Sequence, residues 1–168
     1  MKVLTVLVPT YNVEKYLRRC LDSLLLPEVL EEIEVLVVND GSKDGSADIA
    51  RAYEKKYPQT VVFVDKENGG HGSTINVGIE KAQGTYFKVL DSDDWVNIGD
   101  FIEFVKRLKE ETADAVICDY RKEHVYNGKS EYFEYKDLED GKKYNLNEID
   151  LNILHGEYFM MATTTYRT

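Results

Sequence analysis

An α/β fold is predicted, with a mostly parallel sheet, helices on both faces and a β-hairpin toward the C-terminus. Three observations carry this. Short apolar runs of strand type recur at 3–10, 33–40, 61–65, 85–91 and 114–120; segments with apolar residues at helical spacing separate the first of them; and Asn127-Gly128 sits between aromatic-rich, partly alternating arms. Strands alternating with helices of about ten to fifteen residues build βαβ units, and their crossovers lay helices on the faces of a parallel sheet.

The first run, "VLTVLVPT", is apolar without interruption and bounded by turn residues, the pattern of a strand covered on both faces. Val13, Leu17, Cys20, Leu21, Leu24 and Leu25 then recur at helical spacing, with Glu14, Lys15, Arg18, Arg19 and Asp22 on the other side. In "IEVLVVND" (33–40) the β-branched content argues for strand. The next helix is expected to open near Asp44 or Ser46 as N-cap, to carry Ile49, Ala50, Tyr53 and Tyr57 on one face, and to close at Pro58. "VVFVD" (61–65) reads as strand, Ser73 to Ala82 as a short helix ended by Gly84, and "TYFKVLD" (85–91) as strand. Asp100 to Thr112 places Phe101, Phe104, Val105 and Leu108 at helical spacing, and "DAVICDY" (114–120) is again a strand. Beyond Tyr120 the Asn-Gly pair marks a hairpin over 121–136. A helix is expected over 145–154, and "FMMATTTYRT" is strand-like without a terminator. The expectation is one domain over 1–168, cut short on its C-terminal side.

The totals exclude several function classes. A chain of 168 residues is about one domain, long enough to bury roughly two thirds of its unfolded surface without staples. A net charge of −10 argues against non-specific binding of nucleic acid and against an anionic membrane surface. A protein this acidic handles phosphate locally, through backbone N–H groups or a bridging cation. Cys20 and Cys118 lack a second ligand at metal spacing and read as buried, reduced thiols. The apolar part of the N-terminus is too short for a signal peptide and is broken by Pro9, and no run approaches the length of a membrane span. A cytoplasmic location is expected, with any membrane association coming from parts outside this chain.

In an open parallel sheet, ligands bind beyond the carboxyl ends of the strands. The residues there are Pro9-Thr10-Tyr11-Asn12, then Asn39-Asp40-Gly41-Ser42, then Asn68-Gly69-Gly70-His71-Gly72, and last Asp91-Ser92-Asp93-Asp94. Asp40, at a strand tip, is placed to accept a hydrogen bond from a ring N–H or a ribose hydroxyl. The glycine-rich stretch is not a dinucleotide fingerprint, because Ile75 stands where its last glycine belongs. "DSDD" is not an EF-hand either, since Val96 and Ile102 occupy the glycine and glutamate positions. Two readings of the acidic stretch remain: a turn capping a helix, or carboxylates that share a cation. Adjacent carboxylates repel unless a cation lies between them, and Mg2+ or Mn2+ takes one or two carboxylates plus phosphate oxygens.

Taken together, "VLVPTYN" (6–12), "VVNDGSKDGS" (37–46) and "NGGHGSTINVGIEKAQGTYFKVLDSDD" (68–94) resemble the inverting glycosyltransferases of family 2, with the Rossmann-like GT-A fold. The resemblance implies a nucleotide-sugar site made by Pro9, Thr10, Tyr11, Asn12, Asp40, Gly70, Asp91, Ser92 and Asp93. In it, Pro9 and Tyr11 line the base pocket, Asp40 reads the nucleobase edge and Asp91 lies near the ribose. Asp93, the second acid of a D-x-D motif, binds Mg2+ or Mn2+ on the diphosphate. The implied reaction moves a sugar, with inversion, from a nucleotide-diphosphate sugar to a hydroxyl of a glycan or lipid-linked acceptor, in polysaccharide or cell-surface glycan synthesis. A UDP-sugar is the first choice of donor.

Two departures matter. Where many members read A-R-N, this chain has Thr74-Ile75-Asn76, so a cationic contact is absent or comes from Lys66 or His71. The general base that such a reaction needs is expected beyond residue 168, with Glu157 in "HGEYF" the weaker candidate within the chain. Two other functions compete. A sugar nucleotidyltransferase wants a glycine-rich basic loop after the first strand, and "PTYNVEKY" has no glycine. A non-catalytic module that kept the nucleotide-sugar pocket would keep Asp40, Asp91 and Asp93 as this chain does.

Overall fold

A computed structural model describes residues 1–124, 126–136, 138–145, 147 and 160–168. In chain order their elements are β1 (Leu4–Thr10), α1 (Leu17–Leu24), β2 (Ile33–Asp40), α2 (Ser46–Lys56), β3 (Val61–Lys66), α3 (His71–Lys81), β4 (Tyr86–Val89), α4 (Ile98–Leu108), β5 (Ala115–Ile117), β6 (Tyr120–His124), β7 (Lys129–Phe133) and β8 (Thr164–Arg167). A six-stranded sheet runs β3-β2-β1-β4-β8-β5, and β6-β7 form a separate two-stranded sheet.

β1 to β4 are mutually parallel, with β1 at the centre between β2 and β4. The chain winds outward from β1 to β3 and then crosses back to β4 on the other side of β1. Right-handed crossovers in opposite directions must lie on opposite faces, and the packing obeys this. On one face, α1 and α2 bring Leu17, Cys20, Leu21, Leu24, Ile49 and Ala50 onto Leu4, Val6, Val8, Ile33, Val35 and Val37. On the other, Ile75 and Val77 of α3 pack on Leu7, Leu36, Val38, Phe87 and Val89. Each fully buried side chain of this size contributes about 1.5–3 kcal/mol. α3 approaches closely because residue 78 has no side chain; a Cβ there would lie 2.6 Å from a Leu7 methyl.

The amino end of the sheet is closed by a buried polar cluster. The Thr5 hydroxyl donates to Glu34 Oε2 at 2.7 Å, Gln83 N donates to the same oxygen at 3.0 Å, and Gly84 N donates to Thr5 Oγ1 at 2.9 Å. The reversal of strand order therefore opens only at the opposite end, between the exits of β1 and β4.

Several expected boundaries move. The strand over 85–91 stops at Val89, because the chain turns back with Asp94 N donating to Asp91 O at 2.9 Å. Residues 13–16 form a turn ahead of α1. α3 starts at His71 rather than Ser73, and α4 at Ile98, where the Asn97 side chain accepts from Gly99 N and Asp100 N. The hairpin forms with Tyr120 stacked on Phe133 at 4.7 Å. The strand-like C-terminal run forms β8, which enters antiparallel between β4 and β5. Lys88 of β4 is buried beside it and donates to Ala162 O at 2.5 Å, and burial pushes its ammonium pKa down. The helix expected over 145–154, and Glu157, lie outside the described residues apart from Asn145 and Asn147.

Candidate active site

The site begins as a frame of cross-loop hydrogen bonds. Asn12 adopts φ 53°, a left-handed conformation that asparagine tolerates better than most residues. That turn aims its Oδ1 at Lys43 N, 2.7 Å away, while its own N–H donates to Ser42 Oγ at 3.0 Å. Val13 N donates to Ser46 Oγ, Glu14 N to Asp44 Oδ2, and Gly45 N to Glu14 Oε2 at 2.7 Å. Five bonds thus join the exits of β1 and β2 into one ledge. Asp44 also accepts from Ser46 N at 3.0 Å, but the N-cap of α2 is Gly45, which has no capping side chain, rather than the expected Asp44 or Ser46. Burial alone would raise the Asp44 carboxyl pKa, but its bonds from Ser46 and Glu14 outweigh that and hold it low.

Asp40 is the hub between this ledge and the glycine-rich loop. Its side chain is only 4% exposed, and it takes the Lys66 ammonium and Gly69 N on Oδ1 and Gly70 N on Oδ2. Burial would push its carboxyl pKa up; the Lys66 bond and the two amides prevail and hold it below its usual value. Lys66 also donates to Glu67 O at 2.6 Å and Ser73 Oγ at 2.9 Å. Asn68 Nδ2 donates to Asp40 O at 2.9 Å. Gly70, at φ 83°, then delivers the chain into the first turn of α3.

The acidic loop stands across from that turn. His71 Nε2 lies 3.2 Å from Asp91 Oδ1, with the two side chains 50% and 42% exposed. Asp93 and Asp94 are exposed, and neither carboxylate takes a hydrogen bond or ion pair from a described residue. Desolvation against the loop, and then the charges of Asp93 and Asp91, push the Asp94 carboxyl pKa up. Helix α1 holds the loop from below. The Cys20 thiol points at Asp91 O at 3.8 Å, Val96 N donates to Ser23 Oγ at 3.2 Å, and the Arg19 guanidinium lies 3.2 Å over the Trp95 ring. Burial, followed by Asp94, Asp93 and Asp91, pushes the Cys20 thiol pKa up, so it is a protonated packing group as its sequence context predicts.

Comparison with known proteins fits this arrangement. The family profile "Glycosyl transferase family 2" matches residues 5–164. The chain belongs to the glycosyltransferases of family 2. It is 41% identical to EpsH of Bacillus subtilis over 126 residues, 75% of this chain and 36% of EpsH. It is 38% identical to the glycosyltransferase GlyA of Streptococcus pneumoniae over 70% of this chain and 16% of GlyA. The crystal structure of TarS of S. aureus superposes with TM-score 0.75 at 28% identity, covering 99% of this chain and 47% of that one. TarS is also solved with UDP-GlcNAc; against that structure the TM-score is 0.60 at 33% identity, over 70% of this chain and 34% of that chain. The chain thus spans about a third or less of the length of these two curated relatives. The sheet, with helices on both faces and the hairpin apart from it, is the GT-A architecture expected from the sequence.

Within this family 2 frame, the predicted residues divide into two groups. Pro9, Thr10 and Ser92 are buried in strand or turn, and Asp40 is buried at the hub, whereas Tyr11, Asn12, Gly70 and Asp93 are exposed and Asp91 is partly so. Lys66, a candidate for a nucleotide contact, is taken up by Asp40 and its neighbours. Sequence reading missed Glu14 as a partner of the second loop and missed the pairing of Asp40 with Lys66. No local signal marks either, since both depend on which strands pair.

Among the described residues, no group of three or more His, Cys, Asp or Glu side chains is arranged to hold a metal. The exposed Asp93 and Asp94 carboxylates, without partners among the described residues, are of the type that Mg2+ or Mn2+ takes one or two at a time while phosphate and water complete its shell.

Proposed function

We propose that this chain is a single donor-binding domain of an inverting glycosyltransferase. It takes a nucleotide-diphosphate sugar, with a UDP-sugar first, and supports transfer to the hydroxyl of a glycan or lipid-linked acceptor on the cytoplasmic side. The observation that carries the reading is the contrast at the carboxyl end of the strands: a preorganised ledge and hub, and Asp93, a carboxylate with no partner among the described residues. The likeness to TarS, solved with UDP and with UDP-GlcNAc at 33% identity, supports the choice of nucleotide.

In this reading Pro9 and Tyr11 flank the base, Asp40 fixes the loops around it and uses its remaining acceptor capacity toward the base edge, and Asp91 meets the ribose. Asp93 holds Mg2+ or Mn2+, which supplies Lewis-acid neutralisation of the diphosphate. The acceptor oxygen forms its bond to the anomeric carbon as the bond from that carbon to the diphosphate oxygen breaks. The acceptor proton passes to a carboxylate supplied from outside the donor site, and the diphosphate leaves with the electron pair.

Calorimetric titration of UDP, GDP and dTDP, with Mn2+ and again with EDTA, tests it. Binding that needs metal and prefers UDP is expected. Equal binding with EDTA would remove the metal role, and no binding of any nucleotide would remove the donor site. Nucleotide binding without transfer by the full-length protein would favour a non-catalytic module.

A further inference from the structure

We infer that His71 is the side chain this protein turns onto the diphosphate of its donor, an inference that rests on the donor-site reading above. A departing diphosphate brings negative charge to a loop that already carries Asp91, Asp93 and Asp94. The site therefore needs protein donors as well as a cation.

Four cationic side chains near these loops, Lys66, Arg51, Arg19 and Lys88, have other partners. Lys66 has three N–H groups, and Asp40, Glu67 O and Ser73 Oγ take all three. Arg51 is held by Asp48 and Asp65. Arg19 lies over the Trp95 ring, and Lys88 is buried with its ammonium on Ala162 O. Among the described residues, His71 is the one that pairs with a carboxylate of the acidic loop.

Its surroundings are open. A Cβ at Gly70 or Gly72 would meet nothing within 4 Å, so the backbone on both sides of His71 faces free space. Position 75, one helical turn further along α3, offers no charge, since Ile75 packs against the cluster of Leu7, Leu36, Val38, Phe87 and Val89. His71 is half-exposed, and its bond to Asp91 keeps the ring directed across the gap. An anion arriving over Gly70–Gly72 meets the ring, and the ring exchanges the Asp91 carboxylate for a phosphate oxygen. Asp91 is thereby released to the ribose.

The test is the binding of UDP and of UMP, by calorimetry with Mn2+, to the wild type, His71→Ala and His71→Gln, with circular dichroism confirming the fold of each. A charge-assisted hydrogen bond lost from the outer phosphate should weaken UDP at least about tenfold in His71→Ala while UMP changes less than about twofold. His71→Gln, which keeps a donor, should recover part of the loss. Equal weakening of UDP and UMP would show that His71 only orders Asp91 and would overturn the inference, as would unchanged binding of both. A wild type that binds neither nucleotide would instead overturn the donor-site reading, and this inference with it.

Discussion

The ledge built from the exits of β1 and β2 and the loop after β4 leave the same end of the sheet, yet they are finished differently. The ledge is closed by side chains that answer backbone N–H groups of the facing loop. Asn12, Glu14, Asp44 and Ser46 reach across thirty or more residues of chain to close it. The loop after β4 puts three carboxylates in four residues and answers one of them, with His71. A scaffold that closed the second loop as it closes the first would be more stable and would have nothing for a cationic ligand to do. The difference separates the part of the site that is preorganised from the part completed by ligand.

The largest effect should come from breaking the unfinished side. Asp93→Ala is expected to abolish Mn2+-dependent UDP binding, while changing stability by no more than about 0.5 kcal/mol, as an exposed and unpartnered side chain should. Trp95 is the only tryptophan and sits two residues from Asp93, so its fluorescence reports the site directly. A metal-dependent fluorescence response that persists in Asp93→Ala would place the ion elsewhere.

Asp40 should behave in the opposite way, with a large loss of stability. Asp40→Ala leaves the Lys66 ammonium and two loop amides without their acceptor, at a cost of about 2–4 kcal/mol measured by urea unfolding. UDP binding should weaken with or without metal, because the glycine-rich loop loses its anchor. The pH dependence follows from the sign of its shift. Its folded pKa is depressed below that of an ordinary aspartate, so its contribution is fully present above the ordinary value and is lost as the pH falls through the depressed one. The stability gap between wild type and Asp40→Asn should therefore be constant at neutral pH and narrow only under strongly acid conditions. A gap that closes between pH 5 and 7 would mean that Asp40 is not the ionised hub.

The same contrast explains what could be read in the sequence. The central strands were legible because burial on both faces needs unbroken apolar runs such as Val35 to Val38, and the winding then fixed where the exits gather. Asp91, Asp93 and the glycine stretch were legible as chemistry because nothing in a plain turn requires them. The partners within the ledge were not. Asp40 and Lys66 are opposite residues in the pairing of β2 with β3, and only the register of that pairing brings them together. β8 was visible as a strand, but its place between β4 and β5 rests on contacts about eighty and fifty residues away along the chain. Helix starts shifted by two residues at α3 because His71-Gly72 has poor helix propensity, and only the backbone turn at Gly70 commits it to the first turn.

A smaller effect belongs to the ledge itself. Asn12→Gly keeps the left-handed backbone and removes only the bond to Lys43 N, so a loss of about 1 kcal/mol is expected. Asn12→Ala adds the strain of φ 53° to that loss, for a total of about 2 kcal/mol or more. If the two variants unfold at the same urea concentration, the backbone of the ledge is not held as described. Neither should change the metal dependence of UDP binding, since neither touches the acidic loop.

The smallest effect concerns how the acidic loop is held from below. Arg19 covers the Trp95 ring at 3.2 Å, and an exposed cation–π contact contributes about 0.5–1 kcal/mol. Arg19→Gln should cost no more than that in urea unfolding, yet it should alter Trp95 emission, because the ring loses a charged cover. Cys20 and Ser23 keep their bonds to Asp91 O and Val96 N in the variant, so the loop backbone has two of its three supports. UDP affinity with Mn2+ should accordingly stay within about twofold of wild type. A drop as large as that of Asp93→Ala would mean that Arg19 reaches the ligand itself, and the acidic loop would then have a second positive neighbour besides His71.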